Sequence, residues 1–219
     1  WVRLIDASTG EQVWSARYER SRDDLFEIQA VVATQVVEAL EMRFPLELQL
    51  APSERSVLGG PAYEAYVRGR LYAARAVNRE DGERAVRALE EAVHLQPDFA
   101  KAHAALSYSR LLLAYHFDQH DQLSASKEAL DRAVALAPDA VETWLADAYY
   151  LSYGAQDYDG ALKRLRAVLA AKPSHAEAMA LQGFIQRRKG SWDAAVRTMK
   201  EALALDPNSY NTAIVLGNL

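Results

Sequence analysis

Apolar residues recur along most of this chain at the three-and-four spacing of amphipathic helices, and only the first twenty or so positions break that rhythm. There Val2, Leu4 and Val13 alternate with polar neighbours, and Ser8-Thr9-Gly10 supplies turn residues, which predicts a β-hairpin over 2–20. From residue 21 the period changes. Ser21 followed by Asp24 has the form of a capping box, and Leu25, Ile28, Val32, Val36, Ala39 and Leu40 keep close to a 3.6-residue period. A long helix is expected, ended by Phe44-Pro45, and Pro45, Pro52, Gly59, Gly60 and Pro61 then mark a linker.

Beyond the linker the pattern repeats. Pro97, Pro138, Pro173 and Pro207 each close an alanine- and leucine-rich amphipathic stretch, at intervals of 41, 35 and 34 residues. A recurrence near 34 residues is the mark of a helical-hairpin solenoid. The cleanest unit is AEAMALQGFIQRRKGSWDAAVRTMKEALALDP, residues 176–207. Its small residues, Gly183, Ala195 and Ala202, are placed to let two antiparallel helices approach to about 8–10 Å, while Leu181, Met199 and Leu203 fill the space beside them. Gly190 is expected to end the first helix and Ser191 to cap the second.

This unit resembles the tetratricopeptide (TPR) repeat, which has small residues at repeat positions 8, 20 and 27 and proline at 32. The other units keep the register. Trp144, Ala148, Ala161, Leu165, Val168 and Pro173 take the equivalent places in the third. In the second they are Leu106, Ser107, Ser126, Leu130, Ala133 and Pro138, with seven extra residues between the helices. The first has Gly69, Tyr72, Ala85, Leu89, Ala92 and Pro97, with four extra, and Leu216–Gly217 begin a fifth. An ordinary helical bundle is the alternative, but the proline register and the nearly fixed period argue against it.

The chain opens at Trp1 without an initiator methionine and stops inside a fifth repeat, and neither end has the polar face of a solenoid cap, so a piece of a longer protein is expected. A two-stranded hairpin is marginal alone in water, which points to missing strands upstream. The stretch VRLIDASTGEQVWSARYERSRDDLFEIQAVVATQVVEAL resembles the last hairpin and helix of a TolB-like domain. That resemblance implies a bacterial signalling protein in which the domain precedes TPR repeats and follows a class III nucleotide cyclase, a protein kinase or a winged-helix DNA-binding domain. The expected fold is therefore mostly α: a TPR-type α-solenoid of antiparallel helix pairs, preceded by a β-hairpin and long helix left from a truncated α/β domain. Its parts are the remnant at 1–44, a linker at 45–60 and the solenoid at 61–219, with four repeats and the start of a fifth.

Composition narrows the chemistry. A net charge of −5 disfavours nucleic acid or an anionic membrane as the main partner, and no run approaches the ~20 apolar residues of a membrane span. Zero cysteines remove disulfides, thiolate metal sites and cysteine nucleophiles, and leave the compartment open, bacterial cytoplasm or periplasm. His116 and His120, four apart in HFDQHD with Asp118 and Asp121 nearby, have a spacing that can hold a metal on a helix. They coincide with the inserted residues of the second repeat, where a solvated turn is the simpler reading. Neither GxSxG, GxGxxG nor GxxxxGK[ST] occurs. No catalytic residue, metal or cofactor is expected.

What remains is binding. Solenoids hold partners on a concave surface. In the TPR fold, first-helix positions 2, 5, 9, 12 and 13 point into the groove, and the resemblance carries that role to particular residues here. They are Tyr63, Tyr66 and Arg70; Lys101, Ala104 and Tyr108; Glu142, Leu145, Tyr149, Ser152 and Tyr153; and Glu177, Ala180, Phe184, Arg187 and Arg188. Position 9 is aromatic in three successive repeats, Tyr108, Tyr149 and Phe184, an arrangement suited to peptide or helix capture if exposed. The alternative is that neighbouring repeats cover these rings as core. TPR clamps for EEVD-type chaperone tails use asparagines at positions 6 and 9, whereas position 6 here holds Ala105, Ala146 and Leu181, which argues against such a ligand. Two readings follow: a protein–protein interaction scaffold or sensor that binds a peptide or helix in the groove, or a regulatory region of a nucleotide cyclase or kinase whose repeats form a homodimer.

Overall fold

The computed structural model describes residues 2–5, 12–16, 60–75, 78–207 and 209–217. The turn expected at 8–10, the helix expected over 21–44 and most of the linker at 45–60 lie outside the described residues. The chain forms two compact units, Trp1–Tyr63 and Glu64–Leu219. In the first, β1 (Val2–Ile5) and β2 (Gln12–Ala16) pair antiparallel, with Val2 opposite Ala16 and Leu4 opposite Trp14. The register slips between Leu4 and Ile5, where Ile5 pairs with Gln12.

Helix α1 (Pro61–Arg75) leads into the second unit, which is a run of helical hairpins. The first hairpin is completed by α2 (Arg79–Leu95), and the second is α3 (Ala100–His116) with α4 (Asp121–Leu136). The third joins α5 (Val141–Tyr149), extended by a π-helical turn (Tyr150–Gly154), to α6 (Tyr158–Ala171). The fourth is α7 (Ala176–Arg188) with α8 (Trp192–Leu205), and α9 (Tyr210–Gly217) follows. Packing is densest within hairpins and between successive ones, the nearest-neighbour arrangement that makes a solenoid's stability a sum of local terms.

The helix crossings fall where small residues recur. A Cβ built on Gly69 would lie 2.6 Å from Leu89 Cγ, and one on Gly183 would lie 2.6 Å from Met199 Cγ. The expected Gly183 contacts were Ala195 and Ala202; Met199 is closer, with the Ala195 carbonyl oxygen at 3.5 Å. In the third repeat Ala148 and Ala161 take these places and are fully buried. In the second, Ser126 Oγ donates to the Ser107 carbonyl at 2.8 Å, and the two hydroxyls are 3.2 Å apart, so the buried polar atoms are paired. Leu89, Leu165, Leu181 and Met199 are fully buried beside these crossings, each worth about 1.5–3 kcal/mol on transfer from water.

Helix ends show what turns the chain. Asn78 Oδ1 accepts from Asp81 N–H and Asp157 Oδ1 from Gly160 N–H, each at 2.9 Å, satisfying orphan donors of α2 and α6. Gly190 has φ +77° and closes α7: its N–H donates to Arg187 O and the Ser191 N–H to Gln186 O, the paired bonds of a Schellman motif. Ser191 precedes α8 as expected, but its side chain makes no capping bond. The seven extra residues of the second repeat do not form a long polar turn. They lengthen α3 to 17 residues, and only 117–120 remain between the helices, with Asp118 at φ 58°.

Successive repeats are also tied by rings. His103 Nε2 donates to the Pro97 carbonyl, and Trp144 Nε1 to the Pro138 carbonyl, both at 2.9 Å and both from repeat position 4. The proline that closes one repeat thus presents its carbonyl to the first helix of the next.

Candidate functional site

The first helices α1, α3, α5 and α7 carry the residues expected to face a groove, and the structure brings a central group of them together. Arg70 on α1 and Glu177 on α7 form an ion pair at 3.8 Å, linking the first repeat to the fourth. Tyr108 and Tyr149 lie between, their ring centroids 4.4 Å apart. Burial would lower the Arg70 pKa, but Glu177 and the hydroxyls of Tyr66, Tyr108 and Tyr149 more than offset it and the guanidinium is raised. Burial, with Glu177 adding to it, pushes both Tyr108 and Tyr149 well above the usual phenol range. These hydroxyls are therefore neutral hydrogen-bonding groups at any physiological pH.

The remaining candidates fall into three settings. Leu145 and Tyr149 are only 7% and 6% exposed, so neither offers much surface to a ligand in this state. Tyr66 is half-buried, with its ring 5.0 Å from that of Phe99, and Tyr63 is half-buried in the first turn of α1. Glu142 accepts from Lys172 Nζ at 3.4 Å and feels Lys101; burial opposes ionisation, yet a backbone N–H and these lysines hold its pKa below the ordinary value.

The ring series differs from the one read off repeat position 9. Phe184 is half-buried and pairs with no other ring among the described residues. The contiguous run goes instead from Tyr108 and Tyr149 to Tyr153, stacked on Tyr149 at 6.2 Å and 19°, and on to Tyr115, 4.6 Å from Tyr153. Two departures from the repeat pattern produce it. Lengthened α3 carries Tyr115 and His116 one turn beyond the usual hairpin. In the third repeat the π-helical turn, with Ala155 N–H donating to Tyr150 O at 3.0 Å, sets the end of the first helix.

At this end of the face lie Arg187 and Arg188, in the last turn of α7. Arg188 donates to the Tyr115 hydroxyl and stands 5.6 Å from the Tyr115 ring centroid. Arg187 Nε is buried and has no hydrogen-bond partner. Burial pushes the Tyr153 hydroxyl up to about 12. Sequence reasoning missed Tyr115 and His116 as members of this group because the standard repeat has no position that corresponds to them, and it missed Tyr158, at the start of α6, because only first-helix positions were read as facing the groove. The apolar run LLLAYH, which continues α3 past its normal length, was the available sign.

The histidine pair behaves differently from a helical metal site. His116 is the last residue of α3 while His120 sits in the turn, 2.8 Å from Asp118, so they do not share one helix face. No cluster of three metal-ligating side chains occurs among the described residues. No described helix is long and apolar enough to cross a membrane.

Comparison with known proteins agrees with the repeat architecture. Residues 150–210 match the tetratricopeptide repeat family. A protein of Rhizobium meliloti (strain 1021) named "Putative adenylate cyclase 3" is 30% identical over 142 residues, which cover 65% of this chain and 23% of that protein. The match thus spans about a quarter of that relative's length. Among solved structures, a TPR protein of Thermus thermophilus aligns over 90% of this chain and 97% of its own, with TM-score 0.57 and 16% identity. Human IFIT1, solved as a dimer with m7Gppp-AAAA, aligns over 74% of this chain and 35% of its own, with TM-score 0.57 and 24% identity. These likenesses establish a TPR-like solenoid fold.

Proposed function

We propose that residues 61–219 are a non-catalytic protein-interaction module that holds a peptide or helical segment against the face made by α1, α3, α5 and α7. The observation that carries this reading is the convergence of Arg70, Tyr108, Tyr149 and Glu177, from all four repeats, on one surface. A face rich in aromatic and arginine side chains has the composition of interface hot spots. Because Tyr149 and Leu145 are covered, the ligand meets the partly exposed residues around them first: Arg70, Phe184 and Arg188. A photo-crosslinking residue at position 184 is expected to capture a partner that the same residue at Lys163, exposed on α6, does not. Identical products from both positions would remove the reading.

A second reading makes the same repeats the regulatory or dimerising region of a nucleotide cyclase. The 30% identity to a protein bearing a cyclase name favours it. In that case the encoded full-length protein makes a cyclic nucleotide, deletion of residues 61–219 changes its rate or response, and light scattering finds the isolated repeats dimeric. Unchanged cyclase output after the deletion argues against it.

A further inference from the structure

We infer that the Arg187–Arg188 end of the face is an anion-accepting subsite for an acidic segment of a protein partner. The inference deepens the interaction-module reading and rests on it.

Two adjacent arginines in the last turn of a helix are well placed with respect to the helix dipole, and that alone would not make a site. Their surroundings do. Tyr115 and His116 come from α3, Tyr153 from the π-helical turn and Tyr158 from the start of α6, so the second and third repeats both reach the pair on the fourth. Among the described residues neither arginine forms an ion pair with a carboxylate, although most of the other described arginines near a neighbouring helix do. Asp159, at the start of α6, is taken by Lys189, the residue that follows the pair. Arg188 donates to the Tyr115 hydroxyl, lies against its ring and is hydrogen-bonded to Tyr158, and Arg187 Nε is buried without a hydrogen-bond partner. Arg188 is exposed and has no carboxylate partner among the described residues, and a carboxylate is the planar acceptor that fits a guanidinium fork.

The chemistry favours a peptide. The rings offer apolar edges beside the charges, as a side chain next to a carboxylate requires, and the subsite continues the ring run into the proposed groove. With a net charge of −5, the chain as a whole opposes a long polyanion such as nucleic acid.

The test uses the whole chain and a short capped peptide of glutamate and leucine, with a glutamine-for-glutamate counterpart, titrated by calorimetry at low and at physiological salt. The wild type is expected to bind the glutamate peptide and not its counterpart. The double variant R187Q/R188Q, its helicity checked by circular dichroism, should bind about tenfold or more weakly, as loss of an arginine hot spot does, whereas K163Q should bind as the wild type. Failure of the wild type to bind, equal binding of both peptides, or undiminished binding by a folded R187Q/R188Q overturns the subsite. If the partner crosslinked from position 184 is still captured by R187Q/R188Q, the groove reading stands while the acidic subsite falls.

Discussion

In the fourth repeat the two helices meet where Gly183 leaves room for Met199, whereas at the same repeat position of the second, Ser107 meets Ser126. The first arrangement depends on an absence, the missing Cβ, and on a flexible thioether side chain that fills the space. The second depends on two hydroxyls satisfying each other and a carbonyl in a fully buried setting. Both let the backbones approach, but they fail differently. An apolar crossing is broken by added volume, a polar one by removing a single partner and leaving the other unpaired.

The largest expected effect is therefore on the fourth repeat. Gly183→Leu should cost about 1–3 kcal/mol through overpacking against Met199, read as a lower denaturant midpoint. Met199→Ala in the same chain should recover part of the loss by vacating the space. An unchanged midpoint in Gly183→Leu would show that this crossing is not closely packed.

At the second repeat the corresponding change is subtractive. Ser126→Ala removes the hydroxyl that donates to the Ser107 carbonyl and leaves Ser107 Oγ without its partner, for an expected loss of about 1 kcal/mol. Changing both residues to alanine, as the third repeat has with Ala148 and Ala161, should cost less than the sum of the single changes. Strict additivity would show that the two hydroxyls act independently.

The same pair of repeats shows what the sequence made legible. Small residues and closing prolines are fixed by close approach and by helix termination, so they survive in every unit and reveal the register. Side chains beyond the standard hairpin have no register to be read from. The insertion in the second repeat lengthens α3 and carries Tyr115 onto Tyr153 and Arg188, a contact 73 residues apart in the chain. No period links those positions. Likewise, Tyr149 follows the groove pattern yet is buried, because ring size and the neighbouring Tyr108 decide exposure. Periodicity says which face a residue is on, and packing says whether that face is open.

A smaller effect separates the second and third repeats at position 4. Trp144→Phe keeps most of the ring but removes the N–H that donates to the Pro138 carbonyl, and should cost about 0.5–1 kcal/mol. A loss several times greater would mean that the indole acts mainly by packing.

The smallest effect concerns His103, which holds the Pro97 carbonyl as Trp144 holds that of Pro138, but which can also titrate. Burial, with Arg132 adding to it, lowers its pKa, while the bond to Pro97 opposes the shift; at His116 burial and then Arg188 act in the same downward direction. Just below the ordinary imidazole pKa of about 6.5 the folded chain thus binds fewer protons than the unfolded one, so stability rises with pH there. The contribution is fully present above that value and is lost as the pH falls through the lower folded pKa. The carboxylates Glu83 and Glu142, held below their ordinary value of 4.5, weaken only at more acidic pH and do not obscure this window. The denaturant midpoint should therefore fall modestly from about pH 7.5 to about pH 5.5, and His103→Gln, which can still donate to Pro97, should flatten part of that slope. A midpoint that is constant across this range in the wild type would mean that both imidazoles are as well solvated in the folded chain as in the unfolded one.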